Sequence, residues 1–123
     1  MTVSASAEVL GVSLGANATL DITNNATFRA DVGTATGKNL GVIQVETGSR
    51  FNFAGVLNNQ NKIKLLGTGA GALFFLLGDT TLKGGGNFFL SDTINNQIDG
   101  FNTLTNVDNL IAGAGSIKVD IVN

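Results

Sequence analysis

Short apolar runs alternate with polar residues along the whole chain, and each run is closed by Gly, Asn or Asp. A period of two is the signature of half-buried strands. It predicts strands at Thr19–Ile22, Thr27–Ala30, Val42–Val45, Arg50–Ala54, Lys62–Leu66, Ala72–Leu77, Thr80–Lys83, Asn87–Leu90, Gln97–Asp99, Thr103–Asn106, Leu110–Ala112 and Ser116–Ile121. Between them lie NN, TGS, GTGAG, KGGGN, NNQ and GAG. No helical stripe survives between the 17 glycines, each of which costs up to about 1 kcal/mol in a helix interior. The gaps are too short for crossover helices, which leaves an antiparallel sandwich or barrel, or a parallel solenoid.

The turns favour the solenoid, because none is the two-residue NG or DG turn of a hairpin. Paired asparagines close behind an apolar residue recur at Asn24-Asn25, Asn58-Asn59 and Asn95-Asn96, spaced by about 35 residues. That interval fits one or two coils. In a parallel coil such amides can hydrogen-bond along a stack. The same residues also suit turns that need left-handed backbone. The expected fold class is all-β, a parallel β-helix (β-solenoid) with short strands and Gly/Asn turns, as a single segment over residues 1–123. The inward side chains are expected to be Leu20, Ile22, Phe28, Ile43, Val45, Phe51, Phe53, Ile63, Leu65, Phe74, Leu76, Leu82, Phe88, Leu90, Ile98, Leu104, Val107, Ile111, Ile117 and Val119. Burying one Phe or Leu contributes about 1.5–3 kcal/mol. Gly84-Gly85-Gly86 is expected to turn a corner at positive φ, where a β-carbon is disfavoured.

Composition narrows the chemistry. Charged residues make up 13% of the chain and apolar ones 43%, so the surface is hydrated mainly by amides and hydroxyls rather than by charge. There is no Cys, hence no disulfide, thiolate nucleophile or zinc-thiolate site. There is no His to titrate near neutrality. The absence of Pro leaves every residue its backbone donor. A net charge of −2 favours neither nucleic acid nor anionic lipid. The longest apolar run, Ala72–Leu77, suits a buried strand and is far short of a membrane span. The opening MTVSASAEVL carries neither the basic n-region nor the apolar core of a signal peptide.

The stretch LGVIQVETGSRFNFAGVLNNQNKIKLLGTG, from Leu40, resembles the N-x-G-x-I-x-V-x-x-G runs of very large bacterial surface and secreted repeat proteins. TTLKGGGNFFLSDTINNQIDGFNTLTNVDNLIAGAGSI resembles their recurring unit more closely, with LTNVDNLIAGAGSI its most specific part. These are the filamentous-haemagglutinin-like and autotransporter-passenger-like β-solenoids. The resemblance covers about two thirds of the chain, and residues 79–117 carry its most specific signature. It implies a right-handed β-helix, a secreted or cell-surface location, and adhesion or scaffolding. It brings no catalytic residues with it. At the end, KVDIVN departs from the usual Gly-rich rung. That departure suggests a cut in a longer protein or a terminal rung with its own packing.

Four sites deserve weighing. Asp79 with Asp92, or Asp92 with Asp99, could form the carboxylate pair of a glycoside hydrolase. Asp79, Asp92 and Asp108 each also sit where a turn acid accepts a local backbone hydrogen bond, and the chain has no Trp or Tyr on which a sugar could stack. KGGGNFFLSD approaches a calcium-binding repeat, but Asp92 comes too late in it. GTGAGA at 67–72 lacks the following helix of a phosphate loop. Lys62 and Lys64 should share the outward face of one strand, where they could touch an acidic glycan; Arg29, Lys38, Arg50 and Lys83 are scattered. No catalytic, cofactor-binding or metal-ligating residue is assigned, and no cofactor is expected.

The expected function is that of a structural, adhesive β-solenoid segment and not of an enzyme. Its expected partner is itself, end to end or laterally, or the adjoining rungs of a parent chain, because open rung ends leave strand edges unpaired. A glycan-recognising fibre segment is the alternative, and a polysaccharide-processing enzyme a third. Neither nucleic acid nor membrane insertion is expected.

Overall fold

The computed structural model describes all residues from Met1 to Asn123. Fifteen strands follow one another without a helix: β1 (Thr2–Val3), β2 (Ala7–Val9), β3 (Ser13–Leu14), β4 (Thr19–Ile22), β5 (Thr27–Asn39), β6 (Val42–Glu46), β7 (Arg50–Asn59), β8 (Lys62–Leu66), β9 (Leu73–Lys83), β10 (Asn87–Leu90), β11 (Gln97–Gly100), β12 (Thr103–Asn106), β13 (Leu110–Gly113), β14 (Ser116–Ile117) and β15 (Asp120–Val122). Every strand pair is parallel. The chain is therefore a β-solenoid. Its first face is the sheet β1-β4-β6-β8-β10-β13, and these six strands mark about five turns of the coil.

The remaining strands form two further faces. The first halves of β5, β7 and β9 stack with β2, β11 and β14, while their second halves stack with β3, β12 and β15. Each long strand thus runs around a corner. The register shifts there, between Asp31 and Thr36 in β5 and between Phe53 and Gly55 in β7. The sequence pattern divides residues 72–83 into two strands at Gly78-Asp79, whereas β9 crosses that corner unbroken. It also passes over β1 to β3 and the second half of β5, whose burial is too uneven to read as alternation.

Coil length varies. On the first face Thr19 pairs with Val42, Val42 with Lys62, Lys62 with Asn87 and Asn87 with Leu110, steps of 23, 20, 25 and 23 residues. An interval of about 35 residues is therefore not a whole number of coils. Asn24-Asn25 and Asn95-Asn96 lie at the corner between the first and second faces, and Asn58-Asn59 at the end of the third. Asn24 and Asn25 take left-handed φ of 60° and 58°, the turn role of asparagine.

An amide ladder nevertheless exists, and of the paired asparagines only Asn59 belongs to it. Asn39 Nδ2 donates to Asn59 Oδ1 at 2.8 Å, and Asn59 Nδ2 donates to Asn109 Oδ1 at 2.7 Å. All three are buried. The second step skips one coil, and Gly86 makes room for it: a β-carbon there would stand 2.8 Å from Asn59 Nδ2 and 2.5 Å from the Asn59 carbonyl oxygen. In the Gly84-Gly85-Gly86 run, φ is +107° and +74° at the first two, and the third is required for space.

Inside, like stacks on like. Phe28, Phe51 and Phe74 share one register column, continued by Ile98 and Ile117. Ring centroids lie 6.0 Å apart for Phe28–Phe51, 5.3 Å for Phe51–Phe74 and 5.2 Å for Phe74–Phe88. Such pairs add about 0.5–1.5 kcal/mol to the gain from burial. Sixteen of the expected inward residues, Leu20 through Leu104 in the order given above, are buried. Val107 is exposed: alternation in β12 turns Leu104 and Asn106 inward, so Val107 falls on the outer side of the next turn. Ile111, Ile117 and Val119 lie on the last coil and are only partly covered.

Two measurements check this packing. Phe51→Ala should lower stability by about 3–5 kcal/mol in denaturant titration, while Phe89→Ala, on the outer side of β10, should stay within about 1 kcal/mol of the parent. Asn59→Ala should cost about 1–3 kcal/mol, because it strands buried amide groups of Asn39 and Asn109 together.

Candidate functional site

Parallel register turns each outer face into a grid. On the first face one outward column runs Thr2, Asp21, Gln44, Lys64, Phe89, Ala112, and a second runs Thr19, Val42, Lys62, Asn87, Leu110. The face is thus graded along the solenoid axis, from acidic through basic to apolar. Lys62 and Lys64 share the outward side of β8, as alternation requires. Together with Asn87, Phe89, Leu110 and Ala112 they line a shallow groove of about 390 Å³. Phe89 is 47% exposed beside them. Neither lysine has a carboxylate partner, for the one ion pair of the chain joins Arg29 to Glu8 at 3.6 Å. That pair is exposed, so it adds little to stability.

At the acidic end, Asp21 on β4 and Glu46 on β6 face each other across adjacent coils. Glu46 is held above the ordinary glutamate range, first by burial, then by the Asp21 charge and a side-chain hydrogen bond with Asp21. Gln44 Nε2 donates to Glu46 Oε1 at 3.3 Å, and Asp21 Oδ1 is buried without a partner. The pair is 25 residues apart in sequence, and only the Asp21–Gln44 register brings it together.

The aspartates weighed as catalytic are dispersed. Asp79 lies at the corner inside β9, Asp92 in the turn between β10 and β11, and Asp99 on β11. Asp79 Oδ1 accepts from the Thr103 amide at 3.0 Å, and Asp108 Oδ1 from the Gly85 amide at 2.9 Å. These are turn acids, but their partners sit on the neighbouring coil rather than locally. Only Asp99 bonds its own neighbour, the Gly100 amide, at 2.7 Å. No three His, Cys, Asp or Glu side chains gather into a metal-binding group.

The GTGAG loop is occupied in the same way. Asn96 Oδ1 accepts from the Gly67 and Ala72 amides at 3.0 and 3.1 Å, and Asn95 Nδ2 donates to the Gly69 carbonyl at 2.6 Å. The loop leads into strand β9, and the Gly67, Thr68 and Ala72 amides already serve protein acceptors. No helix is long and apolar enough to cross a membrane.

The acid pair makes stability depend on pH. Because the fold raises the Glu46 pKa, the native state keeps this proton to higher pH than the unfolded chain does. Its contribution is complete below the unfolded glutamate value and is lost as pH rises through the higher native value. Glu46→Gln should therefore raise the melting temperature at pH 7 and leave it nearly unchanged at pH 3; equal shifts at both would contradict the assignment.

No protein family, curated protein or solved structure matches the chain, so fold and site stand on the geometry above.

Proposed function

We propose that this chain is a structural and adhesive β-solenoid segment of a secreted or cell-surface bacterial protein, and that it self-associates through its coil ends. One observation carries the reading: every coil is held by the coil beside it, while β13, β14 and β15 each have a strand neighbour on one side only. Cohesion comes from 71 backbone hydrogen bonds and the stacked core, against a single exposed ion pair. A rod built this way resists salt and extends by adding coils. The same strand edges offer unused backbone donors and acceptors to a neighbour. In this reading the chain is not an enzyme, which agrees with the use of Asp79, Asp99 and Asp108 as acceptors for backbone amides.

The lysine groove supports a second reading, recognition of an acidic glycan. Two unpaired cations beside an exposed ring suit a sugar that brings a carboxylate or sulfate and an apolar face.

Light scattering over a wide concentration range should show mass rising above that of one chain, with salt having little effect. A strict monomer at every concentration would count against self-association. For the glycan reading, an acidic oligosaccharide should bind and lose affinity in Lys62→Ala/Lys64→Ala and in Phe89→Ala; an array of acidic glycans without a hit removes it.

A further inference from the structure

The groove on the first face has a direction. It crosses β8, β10 and β13, between the column Lys62, Asn87, Leu110 and the column Lys64, Phe89, Ala112. Neighbouring strands lie about 4.8 Å apart, so the groove runs for about 10 Å along the solenoid axis. Lys62 and Lys64 stand two residues apart on one strand, about 7 Å along it. Both are free of ion pairs, and their flexible stems let both ammonium groups reach one anion. The groove opens sideways from the sheet. A coil stacked beside β13 would lengthen its walls without covering it.

The charges along the axis leave room for a single anionic group. Before the lysines come Val42 and Gln44 on β6, then Asp21 on β4, with Glu46 at the end of β6. These acids repel a second anion on that side. After the lysines, β10 (NFFL) and β13 (LIAG) carry no charged residue. The charges nearest them in sequence, Asp92 and Asp108, are negative. Phe89 and Leu110 are exposed there instead. A polyanion laid along the groove would bring its further acids to positions without a cation. A ligand with one acid at its end and uncharged rings behind it is matched throughout.

We propose that the groove holds the terminal uronic acid of a saccharide, with its carboxylate between Lys62 and Lys64, its ring against Phe89, and the next, neutral sugar over Leu110 and Ala112. The two ammonium groups supply charge-assisted hydrogen bonds. The exposed Phe89 ring covers the less polar face of the sugar, and the Asn87 amide meets a hydroxyl. An internal stretch of a polyanion does not fit this arrangement. The proposal rests on the glycan reading above and adds to it the place of the acid in the ligand and the ligand's direction on the rod.

A pair of tetrasaccharides tests it: one with a single glucuronate at its non-reducing end and neutral sugars behind, the other tetraglucuronate. In NMR titration of the 123-residue chain, the one-acid probe should bind, with shifts centred on Lys64, Phe89 and Ala112, and tetraglucuronate should bind more weakly. Lys62→Ala/Lys64→Ala should weaken the one-acid probe about tenfold or more. Phe89→Ala should weaken it too, with the circular dichroism unchanged because the ring is exposed. Ala112→Lys, at an exposed position, places a cation at the far end of the groove. It should raise the affinity for tetraglucuronate and leave that for the one-acid probe unchanged. Tetraglucuronate binding the parent chain more tightly than the one-acid probe overturns the terminal position and keeps the glycan reading. One-acid binding that survives the double Lys substitution and Phe89→Ala puts the sugar elsewhere and overturns the proposal. Binding of neither probe overturns the proposal as well, and a blank array of acidic glycans overturns the reading beneath it.

Discussion

Everything in this molecule depends on one constraint, the parallel register that sets each residue beside its counterpart one coil away. Because the pairing is parallel, that counterpart faces the same way. An inward phenylalanine therefore meets an inward phenylalanine, as Phe51 does with Phe28 and Phe74. Outward residues repeat too, and their chemistry is displayed in columns rather than as scattered side chains. A slip of one residue would turn every core side chain outward, so the apolar column and the backbone ladder fix each other.

The corners obey the same constraint by other means. Coils of 20 to 25 residues cannot all turn alike, and the backbone groups left over at the corners need partners. Polar turn side chains supply them across coils. Asp79 reaches the Thr103 amide, Asp108 the Gly85 amide, Ser91 Oγ the Gly67 carbonyl and Asn102 Nδ2 the Leu76 carbonyl. This accounts for the abundance of Asn, Thr and Gly that sets the composition apart. The amides are inter-coil fasteners, and the glycines sit where a β-carbon would meet the next coil, as at Gly86.

Alternation made the regular parts legible. The bounds of β4, β8, β10 and β12 are those the pattern predicts, and the inward set from Leu20 to Leu104 follows from it. What it hides are features that depend on which coil lies beside which. The corner inside β9 looks like a strand end, because Gly78-Asp79 is a turn signal whether or not the ladder continues. The amide ladder joins Asn39, Asn59 and Asn109, of which only Asn59 comes from a conspicuous pair. Asn39 and Asn59 each stand three residues before a first-face strand, a regularity that becomes visible once coil length is known. The Asp21–Glu46 pair and the neighbourhood of Lys64 and Phe89 arise likewise from register. The lysines themselves were readable as outward; the ring beside them was not.

A nearest-neighbour architecture also explains why the ends matter more here than in a globular domain. Each coil's stability is its own plus what its neighbours add, so an interior coil has two supporting interfaces and a terminal one has a single interface. The first coil buries Val3, Val12 and Leu14 and leaves Val9 partly covered, while on the last coil Ile117 continues the aromatic column into solvent and Asn109 extends the ladder's donor pattern without an acceptor. Both features continue the interior pattern one step past its last partner.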